Sequence, residues 1–396
     1  MNIVFVSGDS YPDGSAATNR HIAYSKGLID LGHDVTYVLY SRETYLVEMF
    51  ELEGIDFKCR QSVKLRFIKS RKIRRFLNLI SSLRNGKQII QEINQVQKID
   101  ALVLLSTVPL ELISFFRLAK RLALKVVHER TEYPFNVIGN SIKERIRLKY
   151  YLNHSLKQFD GIYVINNALK AYFSNYLKPG GRIAVINMIV DTTRFNLEEH
   201  TRENPENYLA YCGTLNDEKD GVDILVQAFA LALRSNRVPK DLKLFLVGDY
   251  ADLAFKDKLE RIIDRYNCYY NIIFKGKIQR DRIPGLLINA SSLALARPEN
   301  KIAEGGFPTK LGEYLATGKP VIITDTGEIS SYLEDGKNAF IAVPGDTRSF
   351  SEKIIEVYSD YERALKIGEK GKELTNNEFN NIAQAQKLAV FIKSLQ

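Results

Sequence analysis

Gly305-Gly306-Phe307-Pro308-Thr309-Lys310-Leu311-Gly312-Glu313-Tyr314-Leu315-Ala316-Thr317-Gly318-Lys319-Pro320, running into Val321-Ile322-Ile323-Thr324-Asp325, reads as a loop, a short helix and a strand. Pro308 has the fixed φ that suits a first helical turn. Gly318 stands as the C-cap, and Pro320 forbids continuation. The apolar run after it is a buried strand. A glycine loop feeding a helix start leaves backbone N–H groups and the positive end of the helix dipole facing outward, which makes an anion site. Thr309 adds a hydroxyl and Lys310 a charge. Glu313 lies four residues beyond Thr309 and shares its helix face, at roughly 6 Å. That separation suits a phosphate with a diol one sugar-length away. A carboxylate accepts from both hydroxyls of a ribose. The same residues also suit an ordinary capped surface helix, with Lys310 and Glu313 as an exposed pair.

The chain around this stretch has 396 residues, 45% of them hydrophobic. That length suggests two domains or more, each with a full core. Cys59, Cys212 and Cys268 show no Cys-x-x-Cys spacing, so neither a disulfide framework nor a zinc site is expected, as in a reducing cytosol. The N-terminal run lacks a basic region and turns acidic at Asp9, so it reads as a first strand and not as a signal peptide. Apolar runs are too short to span a bilayer. The net charge is +9, and Val63–Gln91 holds nine Lys/Arg and no acid. Ile73, Phe76, Leu77, Ile80 and Leu83 recur there at three- and four-residue steps. The result is a basic amphipathic helix near 64–87, suited to an anionic membrane surface. The alternative is a helix that packs on its own domain with solvated charges. No nucleic-acid-binding motif accompanies the patch.

Strands and helices alternate through both halves, which argues for two parallel α/β sheets with a cleft between them. Strands are expected at 3–6, 35–40, 101–105, 125–128, 161–165 and 183–186, then at 208–212, 242–247, 272–274, 293–295, 321–324 and 340–343. Helices fall between them, including 143–159 and a last one over 379–395. The loop at 7–17 departs from Gly-x-Gly-x-x-Gly, so the dinucleotide fingerprint is absent. Gly14 is the residue there whose backbone is able to approach a ligand. His128 closes its strand, and open parallel sheets take ligands beyond strand carboxyl ends. Taken alone, such a histidine is more often structural than functional. Glu129 and Glu132 follow it as candidates for acceptor contact. Arg297 is either a donor ligand or a structural partner of nearby carboxylates.

The stretch from Gly305 to Pro320 resembles the donor-binding signature of retaining GT-B glycosyltransferases of family 4. In that family a Glu-x7-Glu pattern ends on the glutamate that grips the ribose of a nucleotide sugar. Glu313 matches this second glutamate. The first falls on Gly305, with Glu304 one residue early. Phe307 to Tyr314 is similar to the branch found in bacterial surface-polysaccharide clusters. The resemblance covers nearly the whole chain. It implies a GT-B fold, with two Rossmann-like doubly wound parallel-sheet domains facing a central cleft. An acceptor-binding domain over 1–190 would be followed by a linker at 191–207. A nucleotide-sugar domain over 208–376 and a helix at 377–396 crossing back to the first domain would follow.

The resemblance also implies roles. Gly213 to Gly221 is similar to the family's Gly-Arg-Leu-x-x-x-Lys-Gly. Lys219 then matches the lysine that clamps the donor phosphates, and Thr214 replaces the arginine. Lys310 is expected to supply part of the missing charge. Lys277 and Ile278 are candidates for base contact. Gly305, Gly306, Phe307, Pro308 and Thr309 hold the donor, and His128 and Gly14 complete the site from the first domain. The implied reaction moves a hexose or N-acetylhexosamine from a nucleoside diphosphate sugar to a hydroxyl of a lipid-linked glycan, with retention. No cofactor and no essential metal are expected, because no Asp-x-Asp is placed to bridge phosphates. The expected location is cytoplasmic and peripheral on the inner face of the membrane. Rival readings are a GT-B epimerase or hydrolase of the nucleotide sugar, and a two-lobed sugar-binding protein.

Overall fold

The apolar run Asn2–Ser7 is buried at every position and forms strand β1. The computed structural model describes residues 1–8, 16–40, 49–60, 69–137, 141–196 and 207–396. Gly14, Lys64 and Arg66 lie outside them. The contacts divide the chain into a first unit, Met1–Asn187 with Asn381–Gln396, and a second unit, Met188–Asn380.

In the first unit β1 is followed by β2 (Asp34–Leu39), β3 (Met49–Leu52), β4 (Ile55–Cys59), β5 (Ala101–Leu104), β6 (Lys125–Arg130), β7 (Gly161–Val164) and β8 (Arg182–Val185). They pair in the order β3-β4-β2-β1-β5-β6-β7-β8. All pairs are parallel except β3 with β4. That antiparallel pair is additional to the sequence reading, since its tight turn is made by Glu53 and Gly54, both at positive φ. Near-continuous burial of β1, β5 and β7 is what a sheet covered on both faces requires.

The basic helix runs Arg71–Val96, with the Ser70 side chain capping Ile73 N–H. Its buried face is Leu79, Leu83, Gly86, Ile90 and Ile93, so its second half packs on the unit. In its first half Ile73, Phe76 and Ile80 stay exposed among the cations. The 143–159 helix is shorter than expected. It ends at Tyr150 and continues as a wide turn, Tyr151–Ser155, and a tight one, Leu156–Gln158. The two turns together bury Tyr151, Leu152, Ser155 and Leu156, a denser buried run than one face of a regular helix holds.

The second unit contains β9 (Tyr208–Cys212), β10 (Lys243–Val247), β11 (Ile272–Gly276), β12 (Ser292–Leu295), β13 (Val321–Thr324) and β14 (Phe340–Ala342). Their order is β11-β10-β9-β12-β13-β14, all parallel. The last helix, Asn381–Lys393, belongs to the first unit and packs on the helix Ala16–Asp30. Gln384 Oε1 also accepts from Asn187 N–H at 3.1 Å. The start of the expected linker is structured: Thr192–Phe195 forms a tight turn whose Phe195 is buried in the second unit. Residues 197–206 lie outside the described set.

Candidate active site

In the second unit the strand order reverses between β9 and β12. Open parallel sheets bind ligands beyond the carboxyl ends of strands at such a reversal. The loops leaving these two strands span 213–221 and 296–308, which hold most of the sequence candidates.

The helix Thr309–Ala316 is seated over this edge by its buried face of Leu311, Gly312, Tyr314, Leu315 and Ala316. Cys212 N–H, at the end of β9, donates to the Tyr314 hydroxyl at 2.7 Å. Gly312 lets the segment after Asn187 lie close, since a Cβ there would stand 2.7 Å from Val190 Cγ2 and 2.9 Å from Met188 Sδ. Pro308 is the residue before the helix, with ψ 112°, and not its first turn. Of the amides that open the helix, Leu311 N–H donates to Pro308 O at 3.0 Å and Gly312 N–H to Met188 Sδ at 3.1 Å, so those of Thr309 and Lys310 are the two without an acceptor among the described residues. Gly305 and Gly306 are a correction here: their N–H groups bond to Lys301 O and Ala303 O, so they finish the short helix Lys301–Glu304 and do not face a ligand. The Phe307 ring is buried against Tyr332 and Phe379, which leaves only its backbone for a donor. Glu304 is exposed at the end of its helix.

Lys310 does not lie open to solvent. Its stem crosses the backbone of Gly213, where a Cβ would come 2.0 Å from Lys310 Cε. Its Nζ donates to Asp220 Oδ2 at 2.5 Å and to the Tyr211 hydroxyl at 3.2 Å. The Tyr211 hydroxyl shares its proton between Thr214 O at 2.7 Å and Asp220 Oδ2 at 2.9 Å. Burial pushes the Asp220 carboxyl up, but the Lys310 ammonium outweighs it, with help from Arg297 and Tyr211, and holds it below the usual range. Asp220 and Tyr211 escaped the sequence reading. The charge cluster at Asp217–Asp220 gave no sign which carboxylate would turn inward.

Arg297 resolves as a brace. It is 1% exposed; its Nε donates to Lys219 O at 3.3 Å and its Nη1 to Gly306 O at 3.1 Å. It therefore binds carbonyls of the two site loops together. Lys219 and Thr214 are exposed on the 213–221 loop. Lys277 and Ile278 follow β11, an edge strand. Glu313 is partly exposed and pairs with Arg194, whose Nη1 donates to Glu313 Oε1 at 3.3 Å. Arg194 Nη2 donates to Arg280 O at 3.1 Å, so one guanidinium holds Glu313 and the 277–282 loop. Nothing in the sequence ties Arg194 to a residue 119 positions away. Burial, together with the Glu313 charge, pushes the Cys212 thiol up to about 12 and keeps it protonated.

His128 is a second correction. It sits within β6 and not at its end, and it is 0% exposed. Its Nδ1 lies 2.6 Å from Leu104 O and its Nε2 2.6 Å from the Tyr151 hydroxyl, with Phe159 stacked on its face. Burial, and secondarily Arg130, lower its pKa to about 3. A neutral ring with both nitrogens engaged is a core element. Glu129 is also buried, held by Arg20 at 2.9 Å and His21 at 2.7 Å. Burial pushes its carboxyl up, yet these two partners hold it well below the usual carboxylate range. Among the described residues, no group of three or more His, Cys, Asp or Glu is placed to hold a metal ion.

Residues 193–374 match the family model "Glycosyl transferases group 1". Over this region the chain resembles group 1 glycosyl transferases. An uncharacterised glycosyltransferase of Methanocaldococcus jannaschii is 26% identical over 284 residues, covering 67% of this chain and 75% of that protein. The sucrose-phosphate synthase structure from Thermosynechococcus elongatus superposes with a TM-score of 0.74 at 17% identity, over 100% of this chain and 98% of that one. HepE of Anabaena, solved with UDP and glucose, gives a TM-score of 0.71 at 16% identity over the full length of both. The architecture is GT-B, and the matched region includes Arg194, Lys219, Asp220, Arg297, Lys310 and Glu313.

Proposed function

We propose that this chain is a retaining glycosyltransferase that moves a hexose or N-acetylhexosamine from a nucleoside diphosphate sugar to a hydroxyl of a lipid-linked glycan acceptor. The observation that carries the reading is the meeting of Lys310, Asp220 and Tyr211 with the start of the helix Thr309–Ala316, beside Glu313 at the strand reversal. A diphosphate placed at that helix start offers Lys310 a second anion. Lys310 then neutralises charge as the bond from the anomeric carbon to the diphosphate oxygen breaks, with Lys219 from the facing loop. The acceptor oxygen bonds to the anomeric carbon on the same face, and its proton leaves to a phosphate oxygen. Glu313, aimed by Arg194, accepts from the ribose hydroxyls.

HepE was solved with UDP and glucose, which favours a uridine nucleotide as donor. The two lysines supply the positive charge that a metal would otherwise bring, so EDTA should leave turnover intact; complete loss would refute this. The exposed Ile73, Phe76 and Ile80 among Arg71, Lys72, Arg74 and Arg75 favour association with an anionic membrane surface on its cytoplasmic side. A thermal-shift panel of UDP, GDP, ADP and TDP tests the donor reading, because a bound nucleotide raises the melting point by mass action. A chain unmoved by all four would refute it. Labelled donor incubated alone separates transfer from hydrolysis or epimerisation: rapid turnover without acceptor would favour the latter.

A further inference from the structure

Arg130 ends β6 in the first unit and is 7% exposed. Its guanidinium carbon lies 5.9 Å from the centre of the Tyr151 ring and 5.8 Å from that of Phe173. Among the described residues one hydrogen bond leaves it, from Nη2 to Glu132 O at 3.2 Å, and its buried Nε has no acceptor. Glu129, the adjacent carboxylate in sequence, is held by Arg20 and His21 instead. Among the described residues no carboxylate pairs with Arg130. A guanidinium cannot shed its proton, and a buried cation without a counter-ion is costly. Aromatic faces compensate only in part. Arginine presents a planar fork that fits the two oxygens of a carboxylate or phosphate. The position is the carboxyl end of a parallel strand, where such sheets take ligands.

We infer that Arg130 is an oxyanion-binding residue and that the acceptor substrate carries a phosphate or carboxylate that docks on it. The assignment to the acceptor rests on the glycosyltransferase reading; the anion site itself does not. Arg130 is thus held in the first unit as an incomplete ion pair that the substrate completes.

The test is thermal unfolding of the full chain in excess UDP, with sodium phosphate or malonate titrated against chloride at matched ionic strength. UDP occupies the nucleotide site, so the added oxyanion reports on the remaining one. A wild-type melting point that rises by about 2–4 °C at tens of millimolar phosphate or malonate is expected. Arg130→Met should lose that rise and, without the anion, melt at or above the wild type, because an unpaired buried charge has gone. Arg130→Lys keeps the charge but not the fork, so it should show a reduced rise. An unshifted wild type, an Arg130→Met variant that shifts as the wild type does, or one that melts several degrees lower without anion overturns the proposal. Failure of UDP alone to stabilise the chain refutes the donor reading, and leaves the Arg130 comparison standing.

Discussion

Glu313 and Lys310 occupy one short helix, yet each is governed by a residue the sequence does not advertise. Glu313 is aimed by Arg194, and Lys310 is held against Asp220. Replacing Glu313 by Ala should lower kcat/KM for the donor at least tenfold, about 1.4 kcal/mol of transition-state stabilisation. Unchanged kinetics would remove its ribose role. Arg194→Met should raise donor KM in the same direction by less, since the carboxylate stays but loses its brace. His128 supplies a prediction of a different kind. Its pKa is about 3 in the fold, against 6.5 for a free histidine. Between those values the unfolded chain binds a proton that the folded chain refuses, so stability falls as pH drops from 6.5 towards 3. Glu129, depressed in the fold, adds to the loss below the ordinary carboxylate range. Denaturant midpoints measured from pH 7 to pH 4 should fall steadily, and His128→Phe should flatten the upper part of that slope if it folds. A wild-type midpoint independent of pH over this range would contradict the buried neutral ring.

Among the elements, the helix Arg71–Val96 divides its work along its length. Its second half buries Leu83, Gly86, Ile90 and Ile93 on the first unit; its first half shows Ile73, Phe76 and Ile80 to solvent. Packing on its own domain thus holds for the second half, and the exposed first half is where the proposed membrane contact would lie. The helix period fixed which residues share a face, but which part of that face is covered was decided by packing on β2, β4 and the helix Pro109–Leu122. Arg74→Glu/Arg75→Glu should abolish co-sedimentation with anionic liposomes while leaving the melting point within about 1 °C, as those side chains are peripheral to the core. Equal pelleting of variant and wild type would count against a membrane role.

The molecule as a whole returns its C-terminus to its N-terminal unit. In the helix Asn381–Lys393, Leu388, Phe391 and Ile392 are buried, and each large apolar side chain contributes about 1.5–3 kcal/mol. That sum rivals the whole stability of a typical domain. Truncation before Asn381 should therefore unfold the first unit, while the second, Met188–Asn380, keeps its nucleotide-dependent transition. Calorimetry of the truncated chain checks this, and two undisturbed transitions would refute it.

Local pattern alone determined that the chain alternates strand and helix, that Gly305 to Pro320 is loop and helix before a buried strand, and that Lys310 and Glu313 share that helix as residues to examine, while Lys219 came only from the family resemblance. Those features follow from backbone chemistry and spacing within a few residues. Only the tertiary structure decided which groups meet across long separations. It withdrew His128 and the Gly305 and Gly306 amides, turned Arg297 into a brace, and brought forward Asp220, Tyr211, Arg194 and Arg130. Burial and pairing depend on where distant strands end in space, and a side chain's charge state and availability depend on both.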